Sequence, residues 1–288
     1  MNDSKYPNET ISILNERVSV RRFSDKPVTD ETLNEILESA LHAASGGNLQ
    51  PFSIIKIRDK GVMERLVKLG NQAFIKTAPV NLLFCIDFYR LKRIAEVEKA
   101  PFSATDSLAH FFIAFEDTMI AAQTVCTACD SLGIGSVYIG TIFTDPDSLA
   151  SCRELFELPD GVLPVVLLCL GYPEVRPPIR KKYGKDIMVH DEKYHIPSDD
   201  ELIHAVAQKY GEQRLEVSED DERIDIIREV CEEVEGREFA EEVVKEIKKR
   251  GYISTFQYRF GLHYRADEMP KKNEELIRLI REYGFRLF

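Results

Sequence analysis

No uninterrupted apolar run in this 288-residue chain reaches the roughly 20 residues that a bilayer-spanning helix needs. The opening stretch MNDSKYPNETIS lacks the apolar core of a secretory signal, so a cytoplasmic location is expected. Positive charge is in deficit: 38 Lys and Arg stand against 49 Asp and Glu, a formal net charge of -11. Such a surface repels phosphate backbones and anionic lipid, which argues against nucleic acid or membrane as partners. No repeat or low-complexity tract is visible, and the length suits one large core, or one domain with an excursion. The six cysteines (Cys85, Cys126, Cys129, Cys152, Cys169 and Cys231) sit mostly in apolar periodic segments, as reduced buried thiols do.

Apolar residues at helical spacing predict helices over about 10–17, 30–44, 60–69, 107–132 and 146–156. The stretch 107–132 is apolar around its whole circumference, which places it at a domain centre or in a dimer interface. Residues 51–59, 78–87 and 163–173 read as strands, and 136–143 as extended. Strands separated by helices point to layered α/β packing, with the connectivity left open. Beyond about 174 the pattern changes to a basic, proline-rich segment and then charged amphipathic helices over 199–210, 219–235, 238–250 and 271–283. The expected division is a core over 1–198 and a helical excursion or lid over 199–288.

Four segments carry candidate chemistry. Arg17, Arg21 and Arg22 lie within six residues of one another, with Ser19 between, in an acidic protein. Guanidinium forks and a hydroxyl suit an anion, although a solvated turn explains them as well. Ser45-Gly46-Gly47-Asn48-Leu49-Gln50-Pro51 lets backbone amides approach a flat or anionic ligand, and Asn48 and Gln50 offer donors and acceptors; a helix stop explains its glycines equally. Gly133-Ile134-Gly135-Ser136-Val137-Tyr138-Ile139-Gly140 lacks the dinucleotide-binding glycine spacing, and reads as a helix-to-strand connection or as backbone packed on a ligand. Arg176, Arg180, Lys181 and Lys182 follow a strand end, as phosphate contacts or as a solubilising loop. Cys126 and Cys129 have redox spacing but lie inside the long helix, where packing is the simpler role. His190 and His195 complete no recognisable zinc pattern, so no metal is expected.

Taken together and in order, these segments resemble the FMN-dependent nitroreductases. Arg17-Val18-Ser19-Val20-Arg21 is similar to the N-terminal R-(R/H)-S-x-(R/K) motif, with Val18 in place of the basic residue. Ala44 to Pro51 resembles the P-S-x-x-N-x-Q-P turn, with Ala44 for its proline, and Leu168 to Pro173 resembles the late strand before the last phosphate ligands. Val189 to Tyr194 resembles a segment of the NADPH-dependent nitroreductase and flavin reductase branch. The resemblance spans roughly residues 10–196.

It implies an α+β, three-layer fold with a mostly antiparallel central sheet flanked by helices, in an intertwined homodimer with FMN at the subunit interface. It implies that Arg17, Ser19, Arg180 and Lys182 hold the phosphate and ribityl end, with Val18 contributing backbone only. Arg21 and Gln72 would meet the pyrimidine edge. Ser45, Gly46, Gly47, Asn48 and Gln50 would line the site, in part from the partner subunit, and Tyr138, Ile139 and Gly140 would lie along the ring near N5. The activity implied is ping-pong hydride transfer from NADPH or NADH, through flavin N5, to a small acceptor such as a nitroaromatic, a quinone or free flavin. No protein group then acts as a catalytic acid or base. The alternatives are a non-catalytic FMN-binding sensor, other flavin chemistry on the same fold, and a thiol oxidoreductase using Cys126 and Cys129. Residues 211–265 are longer and more acidic than this branch leads one to expect; Arg259 and Arg265 there are candidate 2′-phosphate contacts.

Overall fold

A computed structural model of the chain describes residues 5–211 and 213–287. Polar caps set where its main helices begin. Side-chain oxygens of Asn8, Thr29, Asp59, Asp87 and Ser107 accept the first free N–H groups of α1 (Glu9–Glu16), α2 (Asp30–Leu41), α3 (Lys60–Gly70), α4 (Phe88–Glu98) and α5 (Leu108–Ser131). Beyond the short turn α6 (Thr141–Thr144), Asp145 does the same for α7 (Pro146–Leu155), whose proline takes a first-turn position. Helix α4 is not announced by the apolar pattern, although Asp87 is a regular cap. The extended reading of 136–143 needs correction as well: the strand stops at Ile139, and Gly140 turns the chain into α6, its carbonyl accepting from Phe143 and Thr144.

Strands β1 (Phe52–Ile57), β2 (Val80–Asp87), β3 (Gly135–Ile139) and β4 (Val162–Gly171) form one sheet in the order β1-β2-β4-β3, and each pairing is antiparallel. An isolated parallel bridge joins Ser19 to Ser136. The α+β arrangement implied by the resemblance is the one found, in place of the α/β layering suggested by alternating elements: helices flank an essentially antiparallel sheet. Every residue of β2 and β4 is buried, which is why both read as continuous apolar runs. Pro164 has no N–H to give the ladder, and the register slips there. Phe84 faces Val166 and Cys85 faces Pro164, leaving Val165 as the extra residue of a bulge.

The core lies between this sheet and α5, which buries Phe111, Ala114, Ala121, Ala122, Val125, Cys126 and Cys129. The opposite side of α5 leaves Phe112, Ile113 and Ile120 exposed in the single chain. Near the end of the chain, Tyr283 donates its buried hydroxyl to the Leu149 carbonyl at 2.7 Å. Phe285 packs against Phe88 and Phe111, with ring centroids 5.8 and 5.6 Å away.

Packing divides the described residues into two compact units. The first runs to Ile179 and takes back the chain from Glu274 onward, including nearly all of a terminal helix (Asn273–Glu282); the second is Arg180–Asn273. The expected boundary at 198 lies within the second unit. That unit contains helices at Lys185–Met188, Asp199–Tyr210, Glu222–Glu235 and Arg237–Arg250, and a two-stranded ladder of Leu215–Glu216 with Tyr252–Ile253. Its core is small: Ile224, Ile227, Val244, Ile247 and Ile253.

Candidate functional site

After α1 the chain is extended, and alternate residues part to opposite sides. Val18 and Val20 point into the protein, while Arg17 and Ser19 are half-buried and Arg21 is exposed. The Val20 amide donates to the Ser136 carbonyl at 3.0 Å, so this segment rides on β3. Only glycine at 135 permits the approach, because a Cβ there would lie 2.5 Å from Val20 Cγ2. Arg17 Nη1 donates to Cys126 Sγ at 3.9 Å, and that sulfur is 3.2 Å from Ser136 Oγ. Among the described residues no carboxylate hydrogen-bonds Arg17, so most of its donors remain for an anion. Arg22 is different: its Nε and Nη2 each reach the Glu174 carboxylate at 3.1 Å. Arg176 is likewise taken, by the buried Asp130. Burial pushes the Asp130 carboxyl above its usual range, against the pull of Arg176 and Arg17.

Arg21, Gln72, Phe74, Val137, Tyr138, Ile139, Gly140 and Thr141 line one cavity of about 140 Å³. Five of these were expected from sequence: Arg21, Gln72, Tyr138, Ile139 and Gly140. Phe74, Val137 and Thr141 were not; their only signal was proximity in sequence to Gln72, Tyr138 and Gly140. A Cβ at Gly140 would meet nothing within 4 Å, so this stretch of backbone lies open to a flat partner. The Tyr138 hydroxyl donates to Gln123 Oε1 at 3.3 Å. Burial and the neighbouring Cys126 push the phenol upward, so it stays neutral at physiological pH. A cation, an amide and an open backbone on one wall are the donor set that fits the polar edge and face of an isoalloxazine.

The other expected residues lie elsewhere. Ser45, Gly46, Gly47, Asn48 and Gln50 form a turn packed on α5, and they are not among the residues lining this cavity. Arg180 and Lys182 stand exposed on irregular chain at the start of the second unit. In that unit Arg259 lines a pocket of about 330 Å³ with Gln213, Arg214, Thr255 and Tyr258. Arg265 is held by Asp267 through two hydrogen bonds of 3.1 and 2.8 Å, which removes it as a ready phosphate ligand. Cys129 is buried and its thiol is pushed well above its ordinary value by that burial, the reverse of an activated thiolate.

The Nitroreductase family model matches residues 14–172. The chain belongs to the nitroreductase family. It is 35% identical over 208 residues to the oxygen-insensitive NADPH nitroreductase of Salmonella typhimurium, covering 72% of this chain and 81% of that protein. It is 35% identical over 211 residues to the FMN reductase (NAD(P)H) of Bacillus subtilis, covering 73% and 82%. Among solved structures, NADPH:FMN oxidoreductase from Vibrio harveyi, complexed with NAD+, superposes with a TM-score of 0.63 at 31% identity, over 69% of this chain and 83% of that one. The NfrA2 protein of B. megaterium superposes over 98% of this chain and 99% of that one, with a TM-score of 0.69 at 28% identity. This nitroreductase-family chain falls in the NAD(P)H-dependent flavin reductase branch. Membership supports an oxidoreductase activity dependent on FMN and NAD(P)H, and the lining of the Arg21–Gly140 cavity is compatible with it. No helix among the described residues is long and apolar enough to cross a membrane.

Proposed function

We propose that the protein is an FMN-dependent NAD(P)H oxidoreductase of the nitroreductase and flavin reductase type. The observation that carries this reading is the cavity where Arg21, Gln72, Tyr138, Ile139 and Gly140 meet. When bound, FMN supplies the redox chemistry: hydride from NAD(P)H is taken up at flavin N5 and passed on to a small acceptor such as a nitroaromatic, a quinone or free flavin, in ping-pong order.

The chain's own residues bind and tune. Arg17, with its uncommitted donors, and Ser19 hold the phosphate and ribityl end, and the Val18 backbone supports them. Arg180 and Lys182 are assigned to phosphate on sequence resemblance alone. Arg21 and Gln72 hold the pyrimidine edge, where positive charge favours the reduced cofactor. Tyr138, Ile139 and Gly140 offer backbone to the ring. No side chain is assigned the role of a catalytic acid or base.

The working form proposed is a homodimer, with Ser45, Gly46, Gly47, Asn48 and Gln50 lining the site in part from the partner subunit. The exposed apolar side of α5, with Phe112, Ile113 and Ile120, supports this reading. Initial-rate plots at varied donor and acceptor test the kinetic scheme: parallel lines are expected, and intersecting lines, with both substrates bound at once, contradict it. Size measurement in solution tests the dimer, and a monomer that turns over would overturn it.

A further inference from the structure

Asp117 lies in the middle of α5, where an apolar face would be expected to carry no charge, and it is 4% exposed. Both of its oxygens accept the backbone N–H of Gly46, each at 3.0 Å. This long-range bond fixes the start of the Ser45–Gln50 turn. The turn needs fixing, because Gly47, Asn48 and Gln50 all have positive φ, at 59°, 55° and 50°. For Asn48 and Gln50 that conformation costs about 1 kcal/mol or more each, so surrounding contacts must hold it. The far end is fixed too: Arg90 Nη2 donates to the carbonyls of Gln50 and Phe52 at 2.5 and 3.1 Å. Within the turn, the Gln50 amide donates to Ser45 Oγ at 3.3 Å, and Gln50 Nε2 donates to the Leu41 carbonyl at 2.8 Å. Space is also closed at Gly46, since a Cβ there would lie 2.8 Å from Ile113 Cγ2.

We infer that Asp117 is a positioning residue for the cofactor, the anchor that holds the Ser45–Gln50 turn in its ligand-facing form. A buried carboxylate is costly unless it is hydrogen-bonded, and this one spends both oxygens on a single loop amide. A purely structural contact between helix and loop could be made by apolar packing at lower cost. The carboxylate instead fixes one backbone N–H, which leaves the Ser45–Asn48 side chains and amides in a single arrangement. The inference rests on the FMN reading, and it predicts a loss of cofactor affinity rather than of the chemical step.

The test compares Asp117→Leu, Asp117→Asn and Gly46→Ala with the unaltered chain, using two readouts. The first is amide hydrogen exchange of the turn in flavin-free protein. Asp117→Leu and Gly46→Ala are expected to speed exchange over residues 46–50 about tenfold or more. Asp117→Asn, whose amide oxygen still accepts from Gly46, is expected to restore protection. The second is FMN affinity by fluorescence titration. It is expected to weaken about tenfold or more in the Leu and Ala variants and to recover in the Asn variant, with kcat at saturating FMN held within a few fold in Asp117→Leu. Unchanged exchange in Asp117→Leu overturns the inference, as does faster exchange with undiminished FMN affinity. Failure of the unaltered chain to bind FMN overturns the cofactor reading and, with it, the positioning role, whereas the exchange data still report whether Asp117 anchors the turn.

Discussion

The Val20 amide and the Ser136 carbonyl meet at 3.0 Å, and through that bond the arginine segment is laid along the edge of the sheet. The bond determines which side chains are available. With Val18 and Val20 turned inward, Arg17, Ser19 and Arg21 have the opposite side to themselves, next to β3 and its continuation at Gly140.

Arg17 carries the phosphate assignment. Removing a charge-assisted bond to phosphate costs about 1.5–3 kcal/mol, or roughly 10–100-fold in affinity. Arg17→Ala and Arg180→Ala are each expected to weaken FMN by that order while changing riboflavin, which lacks the phosphate, much less. Fluorescence titration of both ligands measures it. Retained FMN occupancy in both variants would sink the assignment.

Arg21 should act on potential more than on affinity, because it is assigned to the pyrimidine edge. Arg21→Met is expected to lower the midpoint potential of bound flavin by about 30 mV for each 1.4 kcal/mol of lost stabilisation. Anaerobic redox titration against a reference dye measures the shift. An unchanged or raised potential contradicts the role.

Cys129 separates flavin chemistry from thiol chemistry. It is buried in α5, with its thiol pushed up by that burial. Cys129→Ser is expected to keep NAD(P)H oxidation and to lower stability by about 1 kcal/mol, the scale of a small polar group placed in the core. Loss of turnover in a folded variant would favour the thiol mechanism.

Asp130 gives a pH dependence of stability. Its carboxyl is raised in the folded protein by burial, so the native state binds the proton more tightly than the unfolded chain does. Its contribution is present in full below the unfolded value near 3.9 and is lost as pH rises through the folded value. Asp130→Asn should therefore flatten the fall in stability from about pH 4 upward, and calorimetry across that range measures it. A slope unchanged by the substitution contradicts the shift.

Much of the architecture was legible because it depends on local pattern. The apolar runs of β2 and β4 and the helical period of α5 place those elements to within a few residues. What stayed hidden depends on partners distant in sequence. The strand order β1-β2-β4-β3 is a matter of pairing, which the alternation of strands and helices left open. The four-residue turn after Gly140 is too short to show a period. At the site, Arg21, Gln72 and Tyr138–Gly140 were legible as a family pattern and meet in one cavity. Asp117 was invisible, because an acid in an apolar helix gains meaning only once the Gly46 amide is seen beside it. Arg22 and Arg176 looked like free cations until Glu174 and Asp130 were found on them.

The most direct test of the flavin oxidoreductase reading is the visible absorbance spectrum of the FMN-reconstituted protein, recorded without oxygen before and after addition of NADPH and NADH in separate samples. The account predicts a flavin band that stays with the protein through gel filtration, is bleached by at least one donor, and returns on addition of a quinone or nitroaromatic. A protein that retains no flavin, or holds flavin that neither donor bleaches, would contradict it.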